Sequence, residues 1–427
     1  MTSNHQLVLE GRIVDLDRVY ESRIGVDDGV ITEISSDVKG DNILHLEKHL
    51  IFPGFIDTHV HLRVPGGEHK EDFSTGSMAA LHGGVTTVID MPNTQPPVTT
   101  SDMVRQKRER ADKEGKVNIR FYALALPENL DSIPSLSEQV AGFKIFMGRS
   151  TGGFILPTEY LGESLKRIQT TSKIATVHCE DEEIMERDAE NLKYRDYPEK
   201  HADVRSAEAE IKAVEALLSH NPDKVNIAHL STAEALNLIK EYRKKRNGTI
   251  FCEITPHHLL LTRNDMRRLG NYGRMNPPLR TEEDRLAMIE GLRSGDITFL
   301  ATDHAPHTRE EKSGSNPPSG VPGLDTYGNV VAFLMREYGI PPERIMSTTY
   351  LASLFFGLTD RGRIQVGKRA DFTVLDHNGP VTISSDMLYT KCGWSPFEGM
   401  TFPGRAVYTV VNGRVYDSQT VKPVFTI

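Results

Sequence analysis

Two histidines stand two residues apart in the run Gly54 to Arg63, GFIDTHVHLR, at the end of an apolar stretch. Alternate residues of a β-strand share a face, so His59 and His61 can reach one metal ion. A His-x-His pair alone is weak evidence, because such pairs also occur on solvated strands. Four later apolar, β-rich runs also deliver a metal-competent side chain at or just after their ends. They are VAGFKIFMG with Lys144, IATVHCED with His178, VNIAHLST with His229 and ITFLATDHAPH with Asp303. Four imidazoles, a carboxylate and a lysine exceed what one tetrahedral zinc uses, which makes two metals the economical reading. Any one of these residues could be an ordinary satisfied polar group, but five such strand ends in one chain are hard to explain that way.

Those side chains need a scaffold that gathers strand ends. Between residues 54 and 304 eight short apolar runs have strand character: 55–61, 85–91, 118–126, 141–147, 174–179, 225–230, 249–255 and 297–303. Polar segments of helical period separate most of them, among them SDMVRQKRERADKEG, SAEAEIKAVEALLSH and TEEDRLAMIEGLRSG. The alternation predicts βα units and a parallel sheet, and eight strands suggest a closed (β/α)8 TIM barrel spanning 53–363. No G-x-G-x-x-G follows the first strand to support a doubly wound dinucleotide fold. Active sites of such barrels lie at the C-terminal ends of the strands, where every candidate ligand falls. The flanks 6–51 and 364–420 instead show short alternating strands with Gly and Asp-Gly turns. They are predicted to pair into one small β-sandwich-like domain made of 1–52 and 364–427, after helical runs at 325–339 and 342–357 close the barrel.

The chain has 427 residues and a formal charge of -9, with no basic stripe for a polyanion, so nucleic acid is not an expected partner. Neither a signal-like start nor a run of about twenty apolar residues occurs, which predicts a cytoplasmic protein with no membrane partner. Cys179, Cys252 and Cys392 are too few and too scattered for a disulfide framework or a cysteine zinc site. A homodimer is the expected assembly only because it is the commonest one.

The segments GFIDTHVHLR, KEDFSTGSMAALHGGVTTVIDMPNTQPP, TPHH at Thr255, NPPLR at Asn276 and DHAPH at Asp303 together resemble dihydroorotases of the amidohydrolase superfamily. The similarity runs in order along nearly the whole chain. HLRVPGG and GLDTYGN depart from the HLREPG and Glu-Thr patterns frequent in that family. The resemblance implies a metal-dependent cyclic amide hydrolase of pyrimidine biosynthesis, acting on a small-molecule substrate. It would interconvert N-carbamoyl-L-aspartate and L-dihydroorotate by a binuclear metal hydroxide mechanism.

It further implies two divalent metals, usually Zn2+. His59 and His61 would bind one with Asp303, His178 and His229 would bind the other, and Lys144 would bridge them in N6-carboxylated form. An unmodified lysine, with a reference pKa of about 10.4, is a poor ligand beside two dications, and carboxylation turns it into an anion. Asp303 would be the general base. The resemblance assigns the exocyclic carboxylate of the substrate to Arg63, Asn93 and His307, and the ring amides to Asn276 and the backbone around Pro322 and Gly323. Arg63 lies two residues beyond His61, on the same face if the strand continues, and its planar fork suits a carboxylate. His257 and His258 fit an inner wall, and the loop from His307 to Gly323 could fold over a substrate or be a solvated connector. An allantoinase or a hydantoinase/dihydropyrimidinase on the same scaffold is the first alternative. A non-catalytic scaffold of the same fold is the second, and the full ligand set argues against it.

Overall fold

The computed structural model describes residues 4–193, 199–246 and 249–425. Four strands come first: β1 (His5–Val14), β2 (Val19–Asp27), β3 (Val30–Ser35) and β4 (Gly40–Pro53). Eight more occupy the eight apolar runs: β5 (Phe55–Val60), β6 (Val85–Asp90), β7 (Asn118–Leu124), β8 (Gly142–Phe146), β9 (Ile174–His178), β10 (Val225–Ile227), β11 (Ile250–Ile254) and β12 (Phe299–Leu300). They pair in parallel and in chain order from β5 to β12. The ring closes where Val60 bridges His304 and the His61 N–H donates to the His304 carbonyl at 2.7 Å. This is the (β/α)8 barrel the alternation predicts. Except for β7, its strands are buried at every residue, as parallel strands covered by helices must be.

The helices between these strands start where the sequence supplies a cap. Asp72 makes a capping box with Thr75 ahead of Phe73–Gly83, Thr232 accepts from Ala235 ahead of Ala233–Lys245, and Thr281 boxes with Asp284 ahead of Glu282–Ser294. Helices Tyr327–Glu337 and Pro342–Phe355 complete the layer around the barrel.

The two termini meet in a separate sheet. The late strands are β13 (Phe372–Asp376), β14 (Val381–Thr382), β15 (Thr401–Phe402), β16 (Arg405–Val411), β17 (Arg414–Asp417) and β18 (Lys422–Pro423). The sheet order is β18-β17-β16-β13-β4-β1-β2-β3, so β4 joins the N-terminal strands to β13. Its core contains Leu7, Leu9, Ile24, Ile51, Phe372 and Val410. Two of its hairpins turn on Asp28-Gly29 and Asn412-Gly413, all four residues at positive φ. β14 and β15 pair only with each other, and between them residues 383–400 leave the sheet for the barrel mouth. There Trp394 Nε1 donates to the His307 carbonyl at 2.7 Å, and Thr390 Oγ1 donates to Glu71. The strand pattern of the flank gives no sign of this excursion.

Candidate active site

His59, near the end of β5, and His61, just past it, meet Asp303, three residues beyond β12. Asp303 Oδ1 lies 3.3 Å from His59 Nε2 and 3.1 Å from His61 Nε2. The metal-ligating atoms of these three residues lie within 4.8 Å of one another, so the cluster could hold a metal ion. His178 ends β9 and His229 follows β10, and His178 Nδ1 faces His229 Nε2 at 2.9 Å. The His229 ring centroid is 5.4 Å from that of His59, which sets the second pair beside the first. Burial pushes His61 down to about 3 and also lowers His178 and His229, so these rings are neutral and present lone pairs. For Asp303, burial alone would raise the pKa, but His59 and His61 outweigh it and keep the carboxylate ionised.

Lys144 on β8 points into the same space. Its Nζ is buried and has no hydrogen-bond partner among the described residues, and it lies 5.0 Å over the Phe146 ring. Burial lowers it to about 8, against the pull of Glu253 and Asp303, so a fraction of the amine is neutral near pH 7. An orphaned, partly neutral amine beside four imidazoles and a carboxylate fits a divalent metal centre far better than it fits an ordinary core.

Backbone strain marks the same place. Arg63, His229 and Asp303 adopt φ of 63°, 36° and 47°, a region that non-glycine residues seldom occupy and that clusters at functional sites. Arg63 therefore does not continue the β5 strand. The strand stops at Val60, and a turn in which the Gly67 N–H donates to the Arg63 carbonyl at 2.8 Å carries the guanidinium to the cavity.

The cavity is lined by His59, His61, Lys144, His178, His229 and Asp303, together with Arg63, Asn93, Asn276, Ser319 and Gly320. A second hollow of about 200 Å³ adjoins it, sharing His61, Arg63 and Asn93. Asn93 donates to the Thr151 carbonyl at 3.1 Å and Asn276 to Ser150 Oγ at 3.2 Å. The Oδ1 atoms of both are buried and have no partner among the described residues. His307 sits behind Arg63, its Nε2 3.1 Å from the guanidinium. Pro322 and Gly323 do not line the cavity. The Gly323 N–H donates to His304 Nδ1 at 3.1 Å, and the loop presents Ser319 and Gly320 instead. His257 and His258 are buried, and His258 is held by Thr255 Oγ1 at 2.8 Å and the Pro277 carbonyl at 3.2 Å.

Sequence reasoning missed the carboxylates behind the histidines. Glu253 on β11 accepts from His59 Nδ1, from Asn226 at 2.7 Å and from the His229 N–H at 3.3 Å. Glu180 accepts from His178 Nε2 at 2.7 Å and pairs with Arg205. Such partners fix the tautomer and aim of a ligand histidine. A usable signal was present, since a glutamate inside the apolar run IFCEI would be costly to bury without a polar partner.

The fold and this constellation define a metal-dependent hydrolase on a (β/α)8 barrel. The Amidohydrolase family pattern matches residues 50–416. The chain is 37% identical to the dihydroorotase of Methanosarcina acetivorans, over 94% of this chain and 90% of that one. Identity to the dihydroorotase of Methanothermobacter thermautotrophicus is 38%, over 93% and 91% of the two chains. Among solved structures, the L-hydantoinase (dihydropyrimidinase) of Arthrobacter aurescens superposes with a TM-score of 0.93 at 27% identity, covering 99% of this chain and 98% of that one. The chain belongs to the amidohydrolase family, whose members use divalent metals. Among the described residues no helix is long and apolar enough to cross a membrane.

Proposed function

We propose that the chain is a dihydroorotase, catalysing the reversible cyclisation of N-carbamoyl-L-aspartate to L-dihydroorotate in de novo pyrimidine biosynthesis. One observation carries the choice of substrate: the Arg63 guanidinium shares a small cavity with the His59, His61 and Asp303 cluster. A fixed cation there suits a ring bearing a carboxylate. Dihydropyrimidine and hydantoin rings need carry none and would leave it unpaired. The same reading takes 53–363 as the catalytic barrel and 1–52 with 364–427 as its support, in a cytoplasmic homodimer.

In this reading two divalent ions, zinc by preference, would be held by His59, His61 and Asp303 on one side and by His178 and His229 on the other. When bound, such ions activate water and polarise a carbonyl. Lys144 would supply its neutral amine to carbon dioxide: the Nζ–C bond would form as one C–O π bond opens onto oxygen, an N–H proton would leave to solvent, and the resulting N6-carboxylate would set an anion where a cation stood, beside both ions. Asp303 accepts a proton in the hydrolytic direction and returns it to the departing ring nitrogen. Arg63 and Asn93 take the exocyclic carboxylate, with His307 steadying the Arg63 guanidinium from behind. Asn276 holds the ring amide, with Ser319 and Gly320 as its wall.

The test is a substrate panel on the zinc-loaded protein. Turnover is expected for L-dihydroorotate and absent for dihydrouracil, hydantoin and allantoin, and Arg63→Gln should lose it while keeping its metal. Turnover of an uncharged ring would replace the substrate. Silence on all four despite bound metal would make the chain a non-catalytic scaffold.

A further inference from the structure

The polar loop after β12 carries a buried lysine that the chemistry above does not use. Lys312 lies in the short helix Arg309–Ser313 and is 0% exposed. Its Nζ donates to the carbonyls of Arg274 at 3.1 Å, Pro318 at 3.0 Å and Gly320 at 3.1 Å, and it sits 5.5 Å over the Trp394 ring. Among the described residues it makes no ion pair with a carboxylate. Burial, with Arg274 nearby, lowers this amine to about 7, and a methionine would fill nearly the same volume more cheaply. What the amine adds, fully when protonated, is directed bonds to three separate backbone positions.

Those positions surround the cavity wall. Pro318 and Gly320 flank Ser319, whose carbonyl accepts from Thr151 Oγ1 at 2.9 Å and lies 3.1 Å from His307 Nε2. Lys70 Nζ is 3.3 Å from His307 Nδ1, and the Arg63 guanidinium is 3.1 Å from its Nε2, so the ring touches the strap, Lys70 and Arg63 at once. The Arg274 carbonyl also accepts the Gly320 N–H at 2.9 Å, two residues before Asn276. Gly320 has φ 139°, and a Cβ there would stand 2.5 Å from the Ala305 carbonyl oxygen, so the strap admits no side chain at that point.

We propose that Lys312 is a positioning residue that ties Arg274, Pro318 and Gly320 into a fixed strap, so that the 307–323 loop forms a rigid wall of the substrate cavity rather than a closing lid. Loosening the strap displaces Ser319 and Gly320 and, through His307, the carboxylate clamp at Arg63. The metal-competent cluster stays on its strand ends, so substrate binding suffers more than the chemical step.

The kinetic part of the test rests on the dihydroorotase reading, whereas the exchange part does not. Lys312→Met nearly matches the volume but has no N–H donor, and Lys312→Gln keeps two N–H donors. Metal-loaded Lys312→Met should fold and show KM for L-dihydroorotate raised about tenfold, with kcat changed by less than about threefold, and Lys312→Gln should fall between it and the parent. Amide hydrogen exchange over 313–321 should accelerate while the barrel strands keep their protection. If the parent protein turns over a different cyclic amide, that substrate replaces dihydroorotate in the KM comparison and the exchange result stands unaltered. Unchanged KM and exchange in a folded Lys312→Met protein would overturn the proposal, as would a loss confined to kcat. Failure of both variants to fold would assign Lys312 to core packing and overturn it equally.

Discussion

His5 in the terminal sheet and His229 at the barrel mouth are both buried histidines, yet their surroundings differ in kind. His5 Nδ1 is 2.7 Å from Asp27 and its Nε2 is 3.3 Å from Glu33, so both ring nitrogens have carboxylate partners. His229 Nε2 faces another imidazole, its Nδ1 is buried without a partner among the described residues, and its backbone is strained at φ 36°. Lys144 Nζ, Asn93 Oδ1 and Asn276 Oδ1 share that orphaned condition around the same cavity. Each unsatisfied buried group costs about 1–3 kcal/mol, so a cluster of them is a site built for something other than stability. A satisfied histidine supports the fold. An unsatisfied one, held in a strained turn beside others like it, is offered to a ligand.

The contrast breaks most visibly at Asp303. Asp303→Asn should lower kcat by about a thousandfold or more, because one change removes both the base and a member of the metal cluster. Steady-state kinetics alongside metal analysis checks this, and a fall of less than tenfold would separate Asp303 from the chemistry. Arg63→Gln comes next, with kcat/KM for L-dihydroorotate expected to fall about a hundredfold while the bound metal is unchanged. Glu253→Gln leaves every proposed ligand in place but loosens His59. Metal affinity, read by competition with a chelator, should fall by about ten- to a hundredfold.

The smallest effect belongs to the satisfied side of the comparison. Hydrogen bonding to Asp27 raises His5 above its ordinary value, opposed by burial and helped by Glu33. Its contribution is therefore full below about 6.5 and fades as pH rises through the folded-state value. Burial would raise Asp27, but the Gln6 N–H and His5 lower it, so its share is lost only as pH falls through that depressed value. His5→Gln should cost about 1.5 kcal/mol of stability near pH 5 and distinctly less near pH 8, with activity untouched. Denaturant melts at the two pH values decide it, and an equal cost at both would remove the charge from the explanation.

Much of this was legible because it is local. The eight barrel strands are apolar runs between helical periods, and the Asp28-Gly29 and Asn412-Gly413 hairpins announce themselves by turn chemistry. The ligand candidates could be found because barrel topology says which end of a strand matters. What stayed hidden depends on partners distant in sequence. Lys312 in TREEKSGS reads as a solvated charge, and only the fold brings three carbonyls and Trp394 around it. The loop has no period to say which residues face inward, and of its residues the resemblance named Pro322 and Gly323, whereas Ser319 and Gly320 line the cavity. Arg63 reaches that cavity by a left-handed turn that strand alternation cannot describe.

Metal stoichiometry measured by elemental analysis, on the parent protein and on His178→Asn, most directly tests whether the orphaned groups of the mouth are kept for ligands. Two equivalents per parent chain, falling to about one in the folded variant, are expected from two histidine pairs that each serve an ion. A single equivalent that persists unchanged in His178→Asn would contradict this reading and leave the His178 and His229 pair without a metal to hold.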